Sequence, residues 1–377
     1  MLIAGEASGD LLAAELVSAM RSQLPDATFS GAGGAKMAEA RVELAFDMTE
    51  HAVIGFSDVV KNYFKFRRLF NQLLALTIER KPDVIIGVDF GGFNLRFGHA
   101  VRQYVRDNPF SKWNPKIVQF VSPQVWASRP SRANLLAADY DLVLSIFPFE
   151  KNWYGERAPQ LRVEFVGHPM VDRSQKSEVR NQKPDKTPVV LLLPGSRGSE
   201  LQRHLPILFQ AAWKIVQTKA VRYICVLPNE SLAALAKPLA LKNGWPDMIF
   251  QIGNLPDALA QADLAIASTG TVTMECAFFG VPTVTLYKTS WFNYEIAKHI
   301  VTVKWATMPN ILANEEVFPE FIQNAATPEN ISRAALELLQ DKSRREKIKS
   351  QLAKIVSSLG EPGAAGRAAT AILSLFP

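Results

Sequence analysis

The sequence predicts an α/β chain made of two doubly wound, Rossmann-like domains facing a cleft. Three observations carry that expectation. Short apolar runs of strand length alternate with longer helical patterns. The alternation stops at a polar stretch, Asp172 to Lys186, and then restarts. A chain of 377 residues with 48% hydrophobic content also exceeds what one core usually organises. The expected domains are 1–170 and 171–344, followed by a helical tail.

Taken in order, the first domain offers strands at Leu2 to Ala4, Val84 to Val88, Ile117 to Val121, Leu142 to Ile146 and Val163 to Val166, with a helix from about Asp10. Wholly apolar runs of this length fit strands buried on both faces of a parallel sheet. The second domain offers Val189 to Leu193, Val221 to Leu227, Met248 to Ile252, Leu264 to Ala267 and Thr283 to Leu286. From about Pro328 the chain reads as helix, with Leu336, Leu339, Ile348, Leu352, Ile355 and Ile372 interleaved with charge. Ligands of such folds sit outside the carboxyl ends of the strands, so the chemistry is expected at the strand exits.

The first strand leaves through Gly5 to Asp10 and another through Ser122 to Ala127, which makes Glu6, Ser8, Ser122, Gln124 and Trp126 candidates for an acceptor side. Val84 to Val88 ends on Asp89, which can act as a general base, a role worth about 10² to 10⁴ in rate, or cap the next helix. The strand Val189 to Leu193 runs into Pro194-Gly195-Ser196-Arg197-Gly198-Ser199-Glu200. Glycine lets backbone N–H groups approach oxyanions, and the Arg197 fork matches a phosphate; an ordinary turn with a surface arginine reads equally well. The spacing matches neither the nucleotide-binding loop Gly-x-x-x-x-Gly-Lys-Ser/Thr nor the dinucleotide fingerprint Gly-x-Gly-x-x-Gly, which weakens ATPase and dehydrogenase readings. Ser268-Thr269-Gly270-Thr271 opens a helix whose free N–H groups suit a phosphate, and Glu275, one turn in, suits the two hydroxyls of a ribose. A plain N-cap with a solvated glutamate is the alternative. Among the histidines only His168 sits at a strand exit; His51, His99, His204 and His299 lack metal-ligand spacing and read as surface or capping residues.

A formal charge of +6 favours anionic partners, but the basic residues are dispersed and no nucleic-acid signature is present. Cys225 and Cys276, in separate apolar segments, read as buried thiols of a reducing compartment. No signal peptide is evident, nor a window of roughly 18 apolar residues that could span a bilayer. The expected location is the cytosol or the cytosolic side of a membrane. From Phe56 to about Leu76, Val59, Tyr63, Phe66, Phe70 and Leu73 form a wide apolar face opposite Lys61, Lys65 and Arg68. Periodicity alone favours a core helix covering a sheet, with a membrane-interface helix as the alternative.

Taken together, Gly5 to Asp10, Val53 to Phe56, Asp89 with Phe93-Asn94, Val121 to Ala127, Pro148-Phe149-Glu150, Val166 to Pro169, Leu193 to Glu200, Ser268 to Thr271 with Glu275, and Pro309 to Leu312 closely resemble the lipid-A-disaccharide synthase family. The resemblance covers nearly the whole chain. It implies a GT-B glycosyltransferase of Gram-negative bacteria working on the cytosolic face of the inner membrane; the residues themselves show no clear metal cluster such as an Asp-x-Asp pair on a cleft-facing strand, so neither a metal nor a cofactor is expected. The donor would be UDP-2,3-diacylglucosamine and the acceptor 2,3-diacylglucosamine 1-phosphate (lipid X), joined β-1,6 with inversion at the anomeric carbon. By position, Gly195, Ser196, Arg197 and Ser268 to Thr271 would hold the diphosphate, Glu275 the ribose, Asn310 a further part of the donor, and Asp89 would be the base. The resemblance also turns the Phe56 to Leu76 helix into a membrane contact through Val59, Tyr63, Phe66 and Phe70, on an anionic inner-membrane surface. It further suggests that the last helices, about 345–377, return to the first domain.

Two departures stand out. Gly91-Gly92 replaces the family's frequent Pro-Asp, so Asp89 acts without a second acid, and the first strand starts almost at Met1, where part of it is expected to be missing. Oligomeric state is left open, a homodimer included. Two rival functions share the architecture: an isomerase of the UDP-GlcNAc 2-epimerase type, and a non-catalytic sugar-nucleotide sensor.

Overall fold

Among the described residues, 1–49, 59–174 and 187–376 of a computed structural model, all strand pairing is parallel and divides between two sheets. The first sheet comprises β1 (Leu2–Ala4), β2 (Ser30–Gly33), β3 (Glu43–Asp47), β4 (Val84–Val88), β5 (Lys116–Phe120), β6 (Leu142–Ser145) and β7 (Val163–Phe165). Its order is β3-β2-β1-β4-β5-β6-β7. The second comprises β8 (Val189–Leu193), β9 (Arg222–Leu227), β10 (Ile249–Ile252), β11 (Leu264–Ser268), β12 (Thr283–Tyr287) and β13 (Glu320–Ile322), in the order β10-β9-β8-β11-β12-β13. Each order runs outward one way from its first strand and then reverses, which is the doubly wound arrangement. The reversal falls between β1 and β4, where Ala4 pairs with Val88, and between β8 and β11, where Leu193 pairs with Ala267.

The chain divides into two units, Met1–Pro169 with Leu359–Pro377, and Met170–Ser358. In the second, every residue of β8 and β11 is buried. The helix Gly198–Val216 covers them with Leu201, Leu205, Leu208, Ala212 and Ile215, recurring at three and four residues. In the first, Ile3, Ile85, Ile117 and Val143 make the central layer, with Phe97, Leu136 and Tyr154 packed on it. Cys225 and Cys276 are both buried and unpaired.

The tail divides at Leu359, not near residue 345. Lys342–Ser358 stays with the second unit because Ile348, Leu352 and Ile355 belong to its core. The helix Ala364–Leu373 packs instead against Ala7–Gln23 of the first unit. Arg367 secures that return with a hydrogen bond to the Val166 carbonyl (2.8 Å), and its other nitrogens brace the tail's own turn at the carbonyls of Pro362 (2.7 Å) and Glu361 (2.5 Å).

The expected amphipathic helix is Val59–Arg80. Val53 to Phe56 and the side chains of Val59 and Tyr63 lie outside the described residues. Beyond them, Phe70 meets Phe93 and Phe97 edge-on, with centroids 5.4 and 5.5 Å apart, and Leu73 is fully buried. Arg67, Arg68, Asn71 and Gln72 occupy the exposed side, while Phe66 is half-buried. The expectation of a membrane contact at Phe70 is therefore corrected: its half-buried ring packs against the first unit's core within an aromatic cluster. No helix among the described residues is long and apolar enough to cross a membrane.

Candidate functional site

At the β1/β4 reversal, the Gly5–Gly9 segment and Asp89 leave adjacent strands. Gly5 is required by close approach, because a Cβ there would lie 2.3 Å from the Phe90 ring. Asp89 and Phe90 both take left-handed backbone conformations, φ 51° and 45°, and so does Val121 at the neighbouring β5 exit, φ 66°. Such conformations cost of order 1–3 kcal/mol each and persist only where the surroundings impose them. Here the imposition is visible. The Asp89 N–H donates to the Phe120 carbonyl (2.8 Å), while its own carbonyl accepts from Asn94 Nδ2 (2.8 Å) and the buried Gln119 Nε2 (2.9 Å). Burial pushes the Asp89 carboxyl above its ordinary range and nearby Glu6 adds to the shift, opposed by a hydrogen bond from the Phe90 N–H. A half-buried carboxyl with raised proton affinity, near exposed Glu6, is equipped to accept a proton from a neutral hydroxyl.

Asp10, in the same segment, has another task. It is buried and caps the helix Ala35–Glu39, accepting from the N–H groups of Gly34 (2.7 Å), Lys36 (2.8 Å) and Met37 (3.1 Å).

The β5 exit separates its three candidates. Gln124 is exposed, whereas Ser122 and Trp126 are turned inward. Ser122 Oγ donates to the Tyr154 hydroxyl (3.0 Å), and Trp126 Nε1 donates to Glu150 Oε1 (2.9 Å). Ser122 and Trp126 are corrected from direct acceptor contacts to internal struts, because the hydroxyl donates to Tyr154 and the indole N–H to Glu150. Glu150 is completely buried and burial pushes its carboxyl up to about 8, against hydrogen bonds from Trp126 Nε1 and the Phe147 N–H. Sequence pattern alone gave no role to Gln119 or Glu150; their burial within a polar network is the missing signal.

At the β8/β11 reversal, two helices begin side by side. Gly195 (φ 118°) turns the chain out of β8, and Arg197, exposed, stands at the N-cap of Gly198–Val216. Gly270 stands at the N-cap of Thr271–Phe278, directly after Ser268 and Thr269. Neither N-cap residue closes its helix with a side chain, which leaves first-turn N–H groups available to an anion. Glu200 partly occupies that position. It accepts from the Ser196 N–H (3.1 Å) and pairs with Arg197 Nη1 (3.3 Å). Burial raises the Glu275 carboxyl, and Arg173 acts against that rise.

Two further residues prove structural. His204, expected at the surface or in a cap, is fully buried: its Nδ1 faces the Pro194 carbonyl (2.7 Å) and its Nε2 accepts from the Lys288 N–H (3.0 Å), tying the β8 exit to the β12 exit. Asn310, expected at the donor, is also fully buried. Its Nδ2 donates to the Phe318 carbonyl and Glu320 Oε1 (both 2.8 Å), and its Oδ1 accepts from the N–H groups of Val317 (2.9 Å) and Phe318 (2.8 Å). An amide offers two donors and two acceptor sites, so nothing remains for a donor and the expectation is corrected.

A family model described as lipid-A-disaccharide synthetase matches residues 1–373. A lipid-A-disaccharide synthase of Syntrophus aciditrophicus is 34% identical over 384 aligned positions, covering 100% of this chain and 97% of the relative. One from Solibacter usitatus is 35% identical with the same coverage. In fold, the chain is similar to the Methanocaldococcus jannaschii UDP-GlcNAc 2-epimerase solved with UDP-GlcNAc and UDP, with a TM-score of 0.63 at 12% identity, covering 100% of this chain and 99% of the other.

Proposed function

The chain belongs to the lipid-A-disaccharide synthetase family and is a glycosyltransferase of lipid A biosynthesis with a GT-B fold, and we propose that its two sheet reversals divide the reaction between them. The second unit holds UDP-2,3-diacylglucosamine. Arg197 and the N–H groups of Gly195 and Gly270–Thr271 take the diphosphate, the Ser196 N–H joins them by exchanging Glu200 for a phosphate oxygen, and Glu275 takes the ribose hydroxyls. The first unit holds lipid X, with Glu6, Ser8 and Gln124 near its sugar.

The acceptor 6-hydroxyl attacks the anomeric carbon of the donor. A new C–O bond forms as the bond to the diphosphate breaks, the electron pair leaves with UDP, and the hydroxyl proton passes to Asp89. Inversion follows from a single displacement. Positive charge from Arg197 and the helix N-termini meets the charge that grows on the departing diphosphate. The observation that carries this reading is Asp89 itself: a carboxyl carried on a backbone held in the left-handed region at a sheet reversal, with Glu6 near it, and hydrogen-bonded through its main-chain carbonyl to two buried amides.

Both substrates are acylated, which fits a protein working peripherally on the cytosolic face of the inner membrane. The test is to mix the purified protein with the two acylated glucosamine substrates and follow products by mass spectrometry. A tetraacyl disaccharide 1-phosphate with stoichiometric UDP is expected. Turnover of UDP-GlcNAc to its 2-epimer, with no disaccharide, would establish the isomerase instead.

A further inference from the structure

In the first unit the helix Gly91–Asp107 packs beside the helix Arg132–Asp139, and the two bring together more cations than the fold neutralises. Toward their C-terminal ends the charges are answered. His99 Nδ1 and Arg106 Nη2 reach the buried Asp139 carboxylate at 2.8 and 3.0 Å, and Arg102 pairs with Asp141. Arg96, one turn before His99, stands instead near Arg132, whose other close cation is Arg129. Among the described residues none of these three guanidinium groups pairs with a carboxylate. Burial, then the like charges of Arg129 and Arg96, lower the proton affinity of Arg132. Arg132 is also the first residue of its helix, where the dipole disfavours a cation, and neither helix has an acid in its first turn to offset it. Arg96 and Arg129 are exposed and Arg132 is half-buried, so an anion from solvent can reach the cluster.

We propose that Arg96, Arg129 and Arg132 form the site that binds and selects a phosphate monoester on the acceptor sugar, the anomeric phosphate of lipid X. The inference rests on the reading of the first unit as the acceptor side. Place supports it. Arg96 lies in the helix that Asp89 and Phe90 lead into, five residues after its first residue Gly91, or roughly 7.5 Å along the axis. Arg129 and Arg132 follow the β5 exit that carries Gln124. Helical side chains lean toward the N-terminus of their helix, which for both helices is the end at the strand exits. Chemistry supports it as well. A phosphate monoester is nearly doubly charged and offers three acceptor oxygens, which planar guanidinium forks grip two at a time. One sugar ring carries both this phosphate and the attacking hydroxyl, so anchoring the phosphate sets where the hydroxyl points. Three unanswered cations beside a general base are what such an acceptor needs: charge to hold one end, and a carboxyl to take the proton from the other.

Kinetics of the full chain with two acceptors test the proposal: 2,3-diacylglucosamine 1-phosphate and the same compound without its phosphate, each with UDP-2,3-diacylglucosamine. The parent should prefer the phosphorylated acceptor. Arg132→Ala, and separately Arg96→Ala at an exposed position, should each lower kcat/KM for that acceptor about 10- to 150-fold, the worth of one charge-assisted contact, and leave the phosphate-free acceptor within about twofold of the parent. Arg132→Lys should recover part of the loss, since it keeps the charge and gives up the fork. UDP affinity should equal that of the parent in all three. Equal losses with both acceptors, or a preference for the phosphorylated one that survives in both alanine variants, overturn the proposal and leave the acceptor reading standing. So does a parent that uses the two acceptors equally well. A fall in UDP affinity would assign the arginines to the donor and overturn the proposal too. A parent that joins neither acceptor to the donor overturns the reading on which the proposal rests.

Discussion

Replacing Asn310 by alanine separates a structural role from a ligand-binding one. Four hydrogen bonds converge on this amide, and it has no exposed surface. At about 1 kcal/mol net for each, the substitution should cost about 4 kcal/mol, since the Val317 and Phe318 N–H groups and the Phe318 carbonyl lose a buried partner. For a unit of this size 1 kcal/mol moves the midpoint by about 2–4 °C, so the second unit should melt roughly 8–16 °C lower. Asn310→Asp should be at least as damaging despite its matching shape. It would turn a donor pair into oxygen facing the Phe318 carbonyl and the Glu320 carboxylate. Calorimetry gives the midpoint, and titration with UDP well below the transition gives the affinity, expected within about twofold of the parent because the folded turn at Arg197 is untouched. An Asn310→Ala protein that melts like its parent yet binds UDP ten times more weakly would refute the reasoning.

Asp89→Asn should sharply reduce turnover while UDP affinity stays near that of the parent; unchanged turnover removes Asp89 as the base. Because burial and Glu6 raise the Asp89 carboxyl, and a base must be ionised, the acid limb of the kcat/KM profile should lie above the ordinary carboxylate range, and Glu6→Gln should move it to lower pH. Arg197→Ala should weaken UDP binding about 10- to 150-fold, the equivalent of one charge-assisted contact of about 1.5–3 kcal/mol, as read by calorimetric titration. Glu150 holds its proton up to about 8 in the folded chain, against 4.5 ordinarily. Between those values the unfolded chain ionises first, so stability should fall as pH rises, by up to about 1.4 kcal/mol per pH unit. Glu150→Gln should flatten that dependence in urea unfolding; parallel curves for the two proteins would show that Glu150 is not its source.

Burial on both faces leaves a mark that a sequence shows openly, which is why β8 and β11, apolar almost throughout, were legible as strands, whereas the strand order and with it the place of each reversal came only from the pairing. β2 was not legible, because Ser30-Gly31-Ala32-Gly33 has no large apolar side chain and holds its place by pairing with β1 and β3. Periodicity likewise defined an apolar face on Val59–Arg80 without saying what the face would meet, and the described part meets Phe93 and Phe97. The polar residues pose a harder problem. Asp10 and Asp89 both stand near the carboxyl end of a first-unit strand, and their letters are the same. What distinguishes them is the direction of the neighbouring backbone. Three N–H groups of the next helix point at Asp10 and use up its carboxylate. At Asp89 the left-handed turn aims the carboxyl away from such a cap, leaves it the Phe90 N–H, and sets Glu6 near it. Asn310 makes the same point from the opposite side, since its motif position suggests a ligand while its four partners exclude one. Pattern can therefore bring a polar side chain to a strand exit, but whether it caps, braces or reacts depends on how many backbone groups the fold turns toward it.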